Sequence, residues 1–281
     1  MTDILQQAID KYQPTHVIGM FSGGHDSLVA THIAAQHPRF SFAAHMNTGI
    51  GIEQTRNFVR DTCREWGIEL REYRADEYVR ADGQPDPQVY EEMVAEYGFP
   101  GPPMHKKMYA RLKERPLRHM LRDLGTPRGA RIILVTGIRA DESTRRMAHT
   151  KAIQEWEAKV WVAPIWDWAK RDVYEYIKER DLKRSWVADI LHMSGECLCG
   201  AFAHEGELEE IRQWFPERAA EIDHIQERVM QRFPWGWEDR PPEWWMPHEN
   251  GQEFIPGLEP EILCTGCVMR QKEEPHGHHQ T

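Results

Sequence analysis

The chain has 281 residues of which 40% are apolar, enough for one large folded domain or a core with an appendage. Its formal net charge of −10 argues against a surface built wholly for nucleic acid. No run of 18 apolar residues and no basic-then-apolar N-terminus marks a membrane span or a signal peptide, so a cytoplasmic protein without membrane attachment is expected.

Taken in chain order, the first 180 residues alternate regularly. Apolar runs at 16–21, 40–46, 68–74, 131–137 and 159–165 read as strands, and amphipathic stretches at 28–36, 52–66, 109–124 and 170–179 read as helices between them. Strands separated by helices predict an α/β fold with a mostly parallel sheet covered on both faces, whose ligands sit at the carboxyl ends of the strands. Residues 75–106 break the rhythm with "DGQPDP" and "GFPGPPMH", which predicts an excursion or lid on a first domain spanning 1–184. Residues 185–281 form a Trp- and Pro-rich, irregular C-terminal lobe around a helix near 205–232. From Lys106 to Lys151 the chain carries 13 Lys or Arg against 4 Asp or Glu. That basic stretch is a solvated helix face or a surface suited to a polyanion such as ATP or a nucleic-acid backbone.

The most informative junction is "FSGGHDS", residues 21–27, where the first strand meets a helix. Gly23 and Gly24 let the backbone approach a phosphate, the helix N-terminus presents unpaired N–H groups, and Ser22 and Ser27 add hydroxyls. Asp26 repels an anion there unless a divalent cation or a specific hydrogen bond compensates. The Walker spacing is absent, and glycines at such a turn also serve simple tight turns.

As a full string, S-G-G-x-D-S after a strand resembles the pyrophosphate loop of the ATP pyrophosphatase superfamily. "MNTGIGIEQTRNFVRD" (46–61), "TGIRADESTRR" (136–146) and "APIWDWAKRDVYEYI" (163–177) resemble, in order, further elements of the phosphoadenosine phosphosulfate (PAPS) reductase family. The resemblance covers about residues 16–180 and implies an adenine nucleotide α-hydrolase-like fold. It makes Ser22, Gly23, Gly24, Asp26 and Ser27 the pyrophosphate loop and places adenosine around Met46, Asn47 and Gly137. Arg139, Glu142, Ser143 and Arg145 then stand on the phosphate side, with Asp26, Arg139, Glu142 and Arg145 as the catalytic set. Arg forks match phosphate oxygens and stabilise charge developing at an attacked α-phosphorus. Trp166, Trp168 and Val173 read as helix packing rather than ligand contacts.

The thiols complete the pattern. C-x-C at Cys197 and Cys199 and C-x-x-C at Cys264 and Cys267 supply four soft ligands from two clips, a set that suits zinc, an iron–sulfur cluster or redox-active thiols. Neighbouring glycines, able to donate N–H groups to sulfur, and the family resemblance both lean toward a [4Fe-4S] cluster, with Zn²⁺ the alternative. Cys63, in a helical pattern, reads as a buried apolar residue. The tail "CVMRQKEEPHGHHQT" lacks the catalytic C-terminal Cys of sulfonucleotide reductases, and Met108 stands where the family's C-x-x-x-L-K-x-x-P-L element has Cys. The chain is therefore most similar to the DNA phosphorothioation proteins of DndC and SspD type. That similarity implies an ATP pyrophosphatase using ATP and Mg²⁺ to adenylate an acceptor such as DNA, with a cysteine desulfurase as sulfur donor, in a homo-oligomer or complex. A PAPS or adenylyl-sulfate reductase, a tRNA thiolation enzyme and a non-catalytic nucleotide-binding assembly subunit are the opposing readings.

Overall fold

The computed structural model describes residues 3–77, 90–125, 127, 129–142 and 151–242. Helix α1 (Asp3–Tyr12) leads into β1 (His16–Met20), α2 (His25–Ala35), β2 (Phe40–Asn47), α3 (Glu53–Glu65) and β3 (Leu70–Arg74). Then come α4 (Tyr90–Tyr97), α5 (His105–Tyr109), a π-helical turn at Ala110–Glu114, α6 (Arg115–Asp123) and β4 (Ile132–Val135). A hairpin of β5 (Ile153–Trp156) and β6 (Lys159–Val162) follows, and then α7 (Lys170–Glu179), α8 (Trp186–Leu191), α9 (Glu207–Trp214) and α10 (Pro216–Met230).

The six strands form one sheet in the order β3-β2-β1-β4-β6-β5, parallel throughout except for β5 against β6. The expected α/β class and mostly parallel sheet are therefore present. Period-two alternation divides the strands between two cores. Val17, Ile133, Val135 and Val162 pack under α1, α2, α3 and α7, whereas Ile18, Phe42, Leu134 and Trp161 pack under α6. Cys63 lies in the first of these cores, 1% exposed, and burial pushes its thiol up to about 12.

Four local expectations differ from the structure. Strand β5 was not expected, because "IQEW" is polar and its turn places Glu157, not Gly or Asn, in the left-handed region (φ 53°). The stretch expected as one helix at 109–124 is interrupted by the π turn ahead of Pro116, whose ring cannot donate to the helical ladder. The helix expected near 205–232 is two, broken at Phe215 (φ −135°), with Pro216 opening α10 where its fixed φ suits the first turn. Helix α2 begins at His25, three residues earlier than the apolar pattern suggests, because its first turn is polar.

A third core lies beyond the carboxyl ends of the strands. Tyr90, Met93 and Phe99 are buried against Phe215, Ile222, Trp235 and Trp237. The described part of the 75–106 segment thus contributes Tyr90, Met93, Val94 and Phe99 to this core. Each buried aromatic has its polar atom satisfied: Tyr90 Oη donates to the Cys199 carbonyl (3.0 Å), Trp235 Nε1 to Phe99 (3.0 Å) and Trp237 Nε1 to Leu198 (2.9 Å). Among the described residues no helix is long and apolar enough to cross a membrane.

Candidate active site

Strand β1 ends at Met20, and Phe21 turns the chain out of the sheet, with its ring stacked on Trp66 at 6.1 Å. Gly23 has φ 86°, and a Cβ there would lie 2.6 Å from Thr55 Cγ2, so both its conformation and its space require glycine. Gly24 caps α2 without a side chain. Ser27 Oγ donates to the Gly24 carbonyl (2.9 Å) and accepts from the Ser22 N–H (3.3 Å), with the Ser22 hydroxyl 3.1 Å away. The loop is therefore pre-shaped, its two serines bonded to each other across the turn.

Asp26 is 18% exposed, and its charge is met by protein rather than left to a metal alone. Arg139 Nε stands 3.2 Å and Lys170 Nζ 3.3 Å from Asp26 Oδ1. Arg139 is buried and also donates to the Trp168 carbonyl at 3.3 Å. Arg139 also stands 4.0 Å from the exposed Asp141, so two carboxylates face two cations, and the unpaired N–H groups of the α2 N-terminus are what favour phosphate. Gly137 brings the β4 exit onto this turn, since a Cβ on it would lie 2.5 Å from Ser27 N. Of the expected site residues, Asp26, Arg139 and Gly137 meet here; Lys170, one of two adjacent cations in the first turn of an amphipathic helix, was not among them.

The remaining expected site residues divide three ways. Met46 is buried in the core beneath α6, and Asn47 is committed to bracing, its Nδ2 donating to Glu72 (2.6 Å) and its Oδ1 accepting from the Gly49 N–H (2.9 Å). The backbone of Glu142 lies in a 3₁₀ turn (Ala140–Glu142) directly after Arg139. Ser143, Arg145, Cys264 and Cys267 lie outside the described residues.

The first thiol clip is seated on the loop. Ser194 faces Gly24, 3.5 Å from where a Cβ would stand, and its carbonyl accepts from Thr55 Oγ1 (2.6 Å). The Gly195 carbonyl accepts from the Ile52 N–H (2.8 Å). Glu196, 3% exposed, accepts from the Thr48 N–H (2.8 Å) and faces His45 Nε2 (3.1 Å) and Arg56 Nε (3.7 Å). Cys197 is half-buried and Cys199 is 3% exposed, with the carbonyls of Leu198 and Cys199 fixed by Trp237 and Tyr90. Cys197 and Cys199 are two soft ligands, and among the described residues no group of three or more His, Cys, Asp or Glu is placed to hold a metal, so a soft metal or cluster there would need further ligands. His25, the x of the S-G-G-x-D-S string, reaches helix α8. Its Nε2 is 3.1 Å from Asp189 Oδ1, close enough for an ion pair but off hydrogen-bond alignment. Burial, then the nearby Lys170, holds the His25 imidazole below its ordinary pKa.

Residues 16–186 match the phosphoadenosine phosphosulfate reductase domain. The chain belongs to that family. Within the family framework, the matched segment contains the loop, Arg139 and Lys170 but stops short of the thiol clip. No curated protein matches the chain. Among solved structures, a PAPS reductase from Candida auris in a phosphate complex is similar at 16% identity and a TM-score of 0.48, covering 66% of this chain and 82% of the other. An FMN adenylyltransferase from Candida glabrata, bound to FMN and an ATP analogue, is 13% identical with a TM-score of 0.44, covering 66% and 57%. The U34-tRNA thiolase NcsA from Methanococcus maripaludis with its [4Fe-4S] cluster is 15% identical with a TM-score of 0.35, covering 82% and 80%.

Proposed function

We propose that this chain is an ATP pyrophosphatase that adenylates an acceptor for sulfur insertion and releases pyrophosphate. The observation that carries the reading is Ser194 packed against Gly24 of the Ser22–Ser27 loop, three residues before Cys197, which supports a phosphate cradle and a thiol clip serving one reaction. Ser22, Gly23, Gly24 and Ser27 bind the β- and γ-phosphates through loop N–H groups and hydroxyls. Arg139 and Lys170 stabilise charge that builds at the α-phosphorus, with Arg145 and Glu142 on the same side, Ser143 beside them, and adenosine along Met46, Asn47 and Gly137. Asp26 holds Arg139 and Lys170 in place and is the carboxylate that would share a Mg²⁺ with the phosphates; such an ion supplies charge neutralisation.

An acceptor oxygen, assigned here to a DNA backbone phosphate, attacks the α-phosphorus as the bond to pyrophosphate breaks. A sulfide-level nucleophile then forms the P–S bond as AMP leaves. Sulfur brought as a persulfide by a cysteine desulfurase reaches that level with two electrons from a thiol reductant. Cys197, Cys199, Cys264 and Cys267 would hold a [4Fe-4S] cluster, or Zn²⁺ as the alternative, whose chemistry is to bind sulfur or brace the lobe. The family match favours one competing reading, a sulfonucleotide reductase, in which Cys197 beside the loop would serve as thiolate nucleophile.

The test is anaerobic purification, a visible spectrum, and pyrophosphate release from ATP with Mg²⁺, with and without DNA, beside Asp26→Ala. Broad absorption near 400 nm with Asp26-dependent release supports the reading, and stimulation by DNA identifies the acceptor class. Sulfite release from PAPS with thioredoxin and no ATP cleavage would replace it with the reductase.

A further inference from the structure

We infer that His45 and Glu196 are positioning residues that fix the Cys197 clip against the ATP loop, so that a ligand bound at one is felt at the other. The inference rests on the reading that the loop takes ATP. It starts from a buried pair that neither loop nor clip needs for its own local shape. His45 is 1% exposed, with Nδ1 donating to the Phe21 carbonyl (2.8 Å) and Nε2 against Glu196 Oε2 (3.1 Å). A carbonyl and a carboxylate are both acceptors, so each ring nitrogen faces an acceptor and a proton must lie between Nε2 and Oε2. That requirement fixes the plane of the ring.

The chain positions matter. Phe21 directly precedes Ser22 of the loop, and Glu196 directly precedes Cys197. Two polar contacts through one imidazole therefore connect the phosphate cradle to the thiol. The other oxygen of the Glu196 carboxylate accepts from Thr48 N–H, while the Thr48 hydroxyl donates to the Glu196 carbonyl, so both backbone and side chain of Glu196 are held at the end of β2. Gly51 closes this contact, since a Cβ there would lie 2.7 Å from Glu196 Cα. Beside it Thr55 links the two sites a second time, its methyl under Gly23 and its hydroxyl on Ser194. Packed groups this tightly joined transmit a shift rather than absorb it. Burying a carboxylate and an imidazole is costly compared with an apolar pair, and what the polar pair adds is direction.

The test uses the full-length chain as isolated, with or without metal. Site-resolved iodoacetamide labelling of Cys197, read by peptide mass spectrometry, is compared with and without Mg·ATP in the wild type, Glu196→Gln and His45→Gln, with buried Cys63 as internal reference. ATP is expected to change the wild-type Cys197 labelling rate by about 5-fold or more. In each variant the ATP effect should fall to within about 2-fold of unity while melting stays cooperative and ATP still binds. An absent ATP effect in the wild type, or an unchanged effect in folded variants, overturns the inference. Should both variants fail to fold, Thr48→Val, which removes the hydroxyl holding the Glu196 carbonyl, takes their place, and an unchanged ATP effect in it overturns the inference. Coupling without pyrophosphate release would sink the proposed reaction and leave the coupling standing.

Discussion

Two carboxylates anchor this site, and they are partnered in opposite ways. Asp26, 18% exposed, meets two long cationic side chains, one of which, Lys170, is 41% exposed and free to re-aim. Glu196, 3% exposed, meets a rigid imidazole, a backbone N–H and the buried Arg56 guanidinium at 3.7 Å, and the first two cannot move without moving a strand end. Partners that can be released suit a place where phosphate must enter and compete for the same cations. Partners that cannot be released suit a joint. The comparison teaches that charge at the loop is arranged for exchange, whereas charge at the clip is arranged for permanence.

The sharpest way to break that contrast is steric. Gly137→Val forces a side chain into the first turn of α2, and we expect nucleotide binding by calorimetry to be lost outright, with Cys197 still half-buried. Next, Arg139→Met should lower the pyrophosphate release rate by about 10² to 10³, the range found when one donor to a developing oxyanion is removed, and a burst assay would read it. Removing one member of the permanent pair, Glu196→Ala, should instead appear as stability, about 3–5 kcal/mol in chemical denaturation, because it strands a buried partner. If Glu196→Ala changes catalysis but not stability, the distinction between exchange and permanence fails.

Smaller effects refine it. His25 has its pKa depressed in the fold, so its contribution to stability is present above its unfolded value near 6.5 and is lost as pH falls below that value. His25→Asn should flatten the decline in melting temperature between about pH 7 and pH 5, an effect of order 1 kcal/mol. Smallest of all, Cys63 should resist iodoacetamide at pH 8 in the native chain, because burial holds its thiol up at about 12.

The sequence made the loop legible because so tight a strand-to-helix turn depends on small residues at fixed local spacing, and Ser22–Ser27 are contiguous. Helix α7 was expected at the residues where it occurs, since Val173 and Ile177 mark an amphipathic face four residues apart. Lys170, His45 and Glu196 were illegible for a common reason: each matters through a partner 144 or more residues distant, and nothing in "WAKRD", "AAHMN" or "SGECL" announces that partner. Composition set Cys197 and Cys199 in a Trp- and Pro-rich stretch, yet composition carries no information about which earlier residues that stretch meets. Strand β5 escaped because an edge strand, paired on one side, tolerates a polar sequence.

The reach of Glu196 back to Thr48 also bears on how the molecule is assembled. The two residues are separated by 148 positions, so during synthesis the parallel sheet and its loop can form well before the clip leaves the ribosome. Until Glu196 arrives, the His45 ring has a buried nitrogen with no acceptor and the end of β2 has an unmatched N–H. A nascent or truncated chain ending before Ser194 would therefore display a phosphate cradle whose far wall is exposed and sticky. Covering that wall therefore waits on Glu196, the same residue that leads into the Cys197 clip.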